Sequence, residues 1–489
     1  MESHELDNIH SASHLSVDGP YTLDHLAHGD VRTGAYSSGD EEYPGSSRHE
    51  SSLGQVDGGF QAWALLIAAF LVEILIWGFP GSYGVLLAVY LRDPVYTNQA
   101  RASSLLPLVG TLCTGIMYFS SLVIYPTMQW YPRLRRVYTW IGTITCSASL
   151  VAASFTTDVP SLVALQGVLF AVGGSLVYAP VISYMSEWFV KKRGLANGIV
   201  FAGANTGGVL FPLTLPSLIS RFGVMKTTRA YAICVFICLV PVLSFMKARL
   251  PESRVHGPAP RSSSRKWLYN KTFWFFITMN TIQSFGYFIP LTWLPTFASS
   301  LGLSPFQSSL ALTLYSGVSI VAGTTMGWLS DKFDIWLLAI ASLIGACLST
   351  FVLWGVLSYS LAGILVYGIV YGSTAGGWSS MWYGFVNPIA KDDPSLSTTL
   401  FSFLLVTRGI GNILSTPIST ALQRHSSVAS TLEHKHVSSG FGVAEGHYHA
   451  MIVYTGVCFA AAAVVALVGW GFEKRARARE HSSIPEGAM

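Results

Sequence analysis

Arg408 stands in the middle of "LFSFLLVTRGIGNILSTPIS", residues 400–419, in an otherwise apolar run. A guanidinium is a permanent cation, and it can clamp a carboxylate through two parallel hydrogen bonds. Asn412 and Ser415 follow at i+4 and i+7, on the same face if the run is helical. A second polar row, Asn280, Gln283 and Tyr287, is spaced i, i+3, i+7. Tyr315 and Ser319 are four apart, and Asn205 sits alone in another apolar run. Glu73 is an isolated acidic residue with Trp77 four positions on. Trp378 and Trp382, also four apart, could stack on a ring or simply pack. The cation and the amides are suited to hold an anionic ligand, and the carboxyl is suited to exchange a proton.

Whether they can do so depends on what surrounds them. Of the 489 residues, 51% are hydrophobic and only 11% charged, against about 25% charged in soluble domains. About 20 helical residues cross the hydrocarbon core of a bilayer, and twelve apolar stretches are long enough. They run over 61–91, 103–125, 137–155, 161–186, 195–220, 229–248, 271–299, 306–330, 335–355, 359–386, 397–421 and 450–472. An all-α membrane protein of twelve spans is expected. Polar groups within spans are costly and face the bundle interior or a wet cavity. The substrate-binding candidates are therefore Arg408, Asn412, Asn280, Gln283, Tyr287, Tyr315, Ser319 and Asn205, with Glu73 the proton-coupling candidate. The competing reading for the amides is a helix–helix hydrogen bond, worth about 0.6 kcal/mol on average. For Arg408 it is a fixed contact with helix-end carbonyls or with Glu73.

The chain divides into a tail over 1–56, six spans over 57–249, a connector over 250–270, six spans over 271–472 and a tail over 473–489. The first tail is rich in Ser, Gly, His, Asp and Glu, a composition too polar to offset the entropy of ordering. No apolar stretch lies near Met1, so no cleavable leader is expected. The connector, with its Pro, Ser and Arg, reads as solvated. Two sets of six spans fit a carrier built from repeats. With the first tail placed in the cytoplasm, 21 Lys and Arg fall on that side and 7 on the other, Arg408 completing the 29. Basic residues favour the cytoplasmic side, so both termini are expected there. The net charge of +4 then reflects topology, and no basic soluble module exists for nucleic acid.

Small residues recur at spacing four, Gly203 and Gly207 in span 5 and Gly368, Gly372 and Gly376 in span 10, as in closely packed membrane helices. All six cysteines fall inside spans and read as packing residues. The loop 423–449 holds His425, His434, His436, His447 and His449, but has no fixed ligand geometry for a metal. No nucleophile triad, phosphate loop or paired-carboxylate spacing stands out. Neither an enzyme nor a cofactor is expected.

Three stretches carry a resemblance. "DGGFQAW" (57–63) precedes span 1, "EWFVKKRGLANGIVFAGANTGG" (187–208) enters span 5, and "GWLSDKFD" (327–334) joins spans 8 and 9. Together they resemble the monocarboxylate transporter-like family of the major facilitator superfamily, in its fungal branch. The resemblance covers roughly 57–472. It implies a fold of two pseudo-symmetric six-helix halves and secondary transport by alternating access. The substrate would be a small organic acid or related metabolite, moved with protons. A monomer in contact with lipid is expected, in the plasma membrane or alternatively in a vacuolar or other internal membrane. The alternatives are an exporter of a secondary metabolite, or a nutrient sensor with the same fold. Asp331 and Lys332 would be gating residues whose charges pair across helices, and the motif residues Lys191, Lys192 and Arg193 sit at a span boundary, where basic side chains anchor a helix end toward the cytoplasm. Two family features are missing. Gly81 stands where many members carry a span 1 lysine, and span 8, "SGVSIVAGTTMGW", has no arginine. Arg408 is left as the only basic residue in a span core.

Overall fold

A computed structural model describes residues 54–249, 265–391, 393–427 and 439–482. The expectations for most of the first tail, residues 483–489 of the second, most of the connector, and His434 and His436 fall outside these residues. Twelve long helices follow one another among the described residues. They are α1 (Gly59–Tyr90), α2 (Ala102–Phe119, continued by Ser121–Trp130), α3 (Leu134–Ala153), α4 (Val159–Trp188), α5 (Arg193–Phe222) and α6 (Val224–Phe245). Then come α7 (Lys271–Ser300), α8 (Pro305–Ser330), α9 (Ile335–Leu357), α10 (Leu361–Ala390), α11 (Pro394–Ser427) and α12 (His449–Ser482). The last helix runs ten residues beyond the expected end of its span.

Nine of these helices are long and apolar enough to cross a membrane. The others are α3, α7 and α11, which carry Arg135 and Arg136, Asn280 and Gln283, and Arg408 and Asn412. On α3 the buried side carries Arg135, Thr139 and Thr143, while Val137, Trp140, Ile141 and Ile144 are exposed. Local chemistry sets several helix starts. Asn270 caps α7, and Ser304 and Gln307 form a reciprocal capping box at α8. Such caps satisfy N–H groups that the first turn leaves unpaired. Within α1 the helix breaks at Trp77. Pro80 lacks the N–H that would reach the carbonyl four residues back, and its ring crowds that carbonyl.

Two hydrophobic cores result. One is built from α1–α6 and includes Leu65, Val72, Phe170, Val200 and Leu239. The other is built mainly from α7–α12, but also takes in Tyr125, Met128, Tyr178 and Ile182 from α2 and α4. The two sets of helices therefore touch through those residues. Gly203 and Gly207 let α5 approach α1: a Cβ on Gly207 would stand 2.8 Å from the Gly78 Cα. Gly368, Gly372 and Gly376 do the same for α8 and α10, where a Cβ on Gly372 would stand 2.7 Å from the Tyr315 carbonyl.

Candidate functional site

A cavity of about 140 Å³ lies between the two sets of helices. Glu73 and Trp77 come from α1, Tyr118 from α2, Phe201 and Asn205 from α5. Tyr287, Phe288 and Leu291 come from α7, Ser379 and Trp382 from α10, and Leu405 and Arg408 from α11. The α1 break at Trp77 places Glu73 and Trp77 on this wall. The wall is mostly aromatic, with one cation and one carboxyl.

Arg408 is only 5% exposed. Its Nη1 donates to Gln283 Oε1 at 3.0 Å. The guanidinium lies 4.0 Å from the centre of the Tyr287 ring and 5.2 Å from that of Phe288. Cation–π contacts of this kind strengthen when desolvated, to about 2 kcal/mol. The Tyr287 hydroxyl shares a short hydrogen bond with the Tyr315 hydroxyl, and the Tyr287 carbonyl accepts from the Tyr371 hydroxyl at 3.0 Å. The cation is thus held by the Gln283 amide, whose buried Nε2 has no hydrogen-bond partner among the described residues, and by a ring that is itself held. Arg408 and Glu73 share the cavity but form no ion pair, so the expected alternative of a mutual contact is not what the structure shows.

Glu73 is fully buried. Neither carboxyl oxygen has a hydrogen-bond partner of good geometry among the described residues, although the Tyr178 hydroxyl faces it. Buried polar groups are nearly always satisfied, so a carboxyl left this way at a cavity wall is available for a proton or a ligand.

The expected set separates into two groups. Arg408, Tyr287 and Asn205 line the cavity, while Gln283 and Tyr315 stand behind them. Asn280, Ser319 and Asn412 do not line it. Asn280 donates to Thr407 Oγ1 at 2.7 Å and to the Leu404 carbonyl, and accepts from Trp378 Nε1 at 2.8 Å. Ser319 donates to the Tyr315 and Gly372 carbonyls. Asn412 donates to Thr114 Oγ1 of α2 at 2.7 Å. These three tie helices together because the groups they face lie on neighbouring helices. Trp77 was noted only for its spacing of four from Glu73, and Tyr118, Phe201 and Phe288 were not expected here. Aromatic residues in spans usually pack, and no spacing set these three apart.

One end of the bundle, the motif face, carries all three motifs. The Asp57 carboxylate accepts from the backbone N–H of Val190, Lys191 and Lys192 at 2.8–3.0 Å. The Asp331 carboxylate accepts from Gly194 and Leu195 N–H, both at 2.8 Å. Two carboxylates therefore meet the N-terminal end of α5, where its dipole and unpaired N–H groups favour negative charge. Burial raises the Asp331 carboxyl above the usual carboxylate range. The two N–H bonds oppose that rise, and the nearby Asp57 charge adds to it.

Lys332 was expected to pair its charge across helices, and Lys191, Lys192 and Arg193 to anchor the start of α5 at the membrane boundary. The side chains of Lys191 and Lys192 are exposed, and it is their backbone that is held. Arg193 is buried, donating to the Phe189 and Ser186 carbonyls and to Asn387 Oδ1 of α10. Lys332 lies 4.1 Å over the Trp328 ring. Asp331 does bridge helices, but to backbone N–H rather than to a basic side chain.

At this face α5 and α8 are nearly in backbone contact. A Cβ on Gly198 would stand 2.6 Å from the Gly323 carbonyl, and Gly194 and Gly327 approach more closely still. Asn197 adds a bond to the Ser379 carbonyl at 2.9 Å.

Residues 65–416 match the Major Facilitator Superfamily. The chain is 28% identical over 287 residues to the MFS-type transporter pytF of Aspergillus terreus, covering 58% of this chain and 95% of that one. It is 27% identical over 385 residues to the MFS-type transporter hasB of Aspergillus fumigatus, covering 75% and 83%. Among solved structures, the Major Facilitator Superfamily transporter FucP in the outward conformation superposes with a TM-score of 0.59 at 13% identity. That match covers 83% of this chain and 98% of FucP. Twelve helices around a central cavity, the motif-face contacts and these matches agree: the chain is a multi-pass membrane transporter and belongs to the Major Facilitator Superfamily.

Proposed function

We propose that this protein is a secondary transporter of organic anions, of the monocarboxylate transporter-like type, working by alternating access with protons. The observation that carries the reading is Arg408: a buried cation at the wall of the central cavity, stacked on Tyr287, with no acidic partner among the described residues. A cation in a span core costs about 2.5–3.5 kcal/mol on insertion scales. A carboxylate arriving from the cavity offsets that cost through charge-assisted hydrogen bonds. The aromatic wall formed by Trp77, Tyr118, Phe201 and Trp382 suits an apolar or ring-bearing body on the acid. Glu73, on the same wall, carries the proton.

Alternating access divides the molecule into two rocking bodies, 57–249 and 271–472. In this state the motif face is sealed by α5 against α8, and substrate enters from the opposite side. Both tails and the connector lie in the cytoplasm, the motif face is cytoplasmic, and the monomer works in the plasma membrane.

The test is uptake of radiolabelled lactate and benzoate into vesicles holding the purified protein. Arg408→Lys keeps the charge but loses the planar fork, and should lower flux at least tenfold at normal protein level. Arg408→Ala should abolish it. Unchanged flux and affinity in Arg408→Ala would remove this residue from the site.

A further inference from the structure

A second cavity, of about 190 Å³, opens at the motif face between the start of α3, the end of α4 and the end of α6. Arg133, Arg135, Arg136 and Lys247 are among its lining residues, beside Tyr184 and Met246. Four cations converge on this cavity, and the carboxylate of Glu187 is ion-paired to Arg135 Nη1. Arg135 is 8% exposed, and its buried Nε has no hydrogen-bond partner among the described residues. A buried guanidinium N–H left open beside three further positive charges calls for an anion.

The surroundings say which anion. Trp130, Tyr131, Val137 and Trp140, next to the basic residues in sequence, are 39–69% exposed, and Phe245 beside the α6 wall is 50% exposed. Exposed tryptophan and tyrosine mark the membrane–water interface, and exposed aliphatic groups there face acyl chains. The cavity therefore stands at headgroup level. Basic pockets between membrane helices on the cytoplasmic side hold lipid phosphates. We propose that this cavity is a binding site for the phosphate headgroup of an anionic phospholipid.

The site is wired to the motif-face contacts. Glu187 Oε2 accepts from Arg249 N–H at 3.0 Å, and Arg249 Nε donates to the Gly54 carbonyl. Trp188 Nε1 donates to the Lys247 carbonyl at 2.9 Å, and Asp57 N–H donates to the Trp188 carbonyl. A headgroup bonded to the open Arg135 Nε and lying beside Arg136 and Lys247 offsets their mutual repulsion at the point where α3, α4 and α6 meet the Asp57 turn. Bound lipid then stabilises the sealed motif face.

The test uses the full chain, delipidated in a neutral detergent. Native mass spectrometry and thermal unfolding are followed with phosphatidylglycerol, phosphatidylcholine or inorganic phosphate added. The expected result is one tightly held phosphatidylglycerol that raises the unfolding temperature, with phosphatidylcholine and phosphate far weaker. Arg133→Ala/Arg136→Ala/Lys247→Ala should weaken that binding by on the order of tenfold or more. These exposed positions keep the Arg135–Glu187 pair, so the variant should fold. A milder variant, Arg136→Gln/Lys247→Gln, should give an intermediate loss. Undiminished phosphatidylglycerol binding in both variants overturns the site. Stabilisation by inorganic phosphate equal to that by phosphatidylglycerol, and lost in the same variants, overturns the lipid assignment.

Discussion

Glu73 and Asn280 are both buried polar residues, but their surroundings are opposite. The Glu73 oxygens lack partners among the described residues, whereas the Asn280 side chain is bonded through both its oxygen and its nitrogen. Glu73→Gln removes the titratable group at nearly constant shape. If Glu73 carries the proton, the variant should lose the pH dependence of flux while still binding the anion, and vesicle uptake across a pH series measures this. A pH profile identical to wild type would end that role. Asn280→Leu leaves Thr407 Oγ1 and Trp378 Nε1 without their partner, at about 1–3 kcal/mol each. Its expected effect is a lower unfolding temperature with substrate affinity nearly kept. The i, i+3, i+7 spacing made the shared face of Asn280, Gln283 and Tyr287 legible. It could not say that the upper part of that face meets the cavity while Asn280 meets α10 and α11. Sequence gives a face its period, and only packing gives it a neighbour.

At the scale of elements, the proposed alternating access makes the junction of α5 and α8 the gate on the motif face. Gly194, Gly198 and Gly327 bring two backbones together where a side chain would intrude, whereas a Cβ on Gly323 would stand 3.8 Å from the Gly198 carbonyl. Gly198→Val should therefore prevent closure of the motif face and leave the protein trapped open on that side. Cysteine labelling from each side of sealed vesicles reads this out, and unchanged accessibility would show that the junction yields. Asp331 gives the same junction a pH dependence. Its carboxyl is raised above the ordinary range by burial when the face is closed, and returns toward the ordinary value once opening hydrates it. The closed state then binds more protons, so acidification favours closure, and this contribution is lost as pH rises through the raised value. The nearby Asp57 charge adds to the rise of the Asp331 carboxyl. Asp331→Asn should flatten the response of a spin-label distance across the junction. The stretches 187–208 and 327–334 were legible as motifs. Their contact was not, because a carboxylate bonded to backbone N–H leaves no charge partner in the sequence to notice.

At the scale of the whole molecule, the basic residues are the longest-range signal in the chain. Arg133, Arg135, Arg136, Lys191, Lys192, Arg193, Lys247, Arg249 and Lys332 are scattered over about 200 positions, yet hydrogen bonds and shared walls gather them at the motif face. Hydropathy made the twelve long helices legible, because it is read from composition along the chain, and the bias of basic residues proposes their sense of insertion. The cavity depends on which spans become neighbours, which composition does not encode. The orientation is testable through glycosylation. The natural sequon Asn270-Lys271-Thr272 is a poor reporter. Its Asn270 side chain caps α7 by accepting from Thr272 N–H at 2.9 Å, which holds it against the helix start. Better reporters are placed by substitution in the sequences joining helices. Val428→Asn creates Asn-Ala-Ser between α11 and α12, and Arg261→Asn creates Asn-Ser-Ser between α6 and α7. With the motif face in the cytoplasm, the first should carry a glycan when the protein is made in a eukaryotic cell, and the second should stay unmodified. Mobility on a gel before and after glycosidase treatment separates the two. A glycan on the Arg261→Asn protein with none on Val428→Asn would invert the molecule. It would also move the lipid pocket to the other leaflet and reverse the side from which Arg408 is reached.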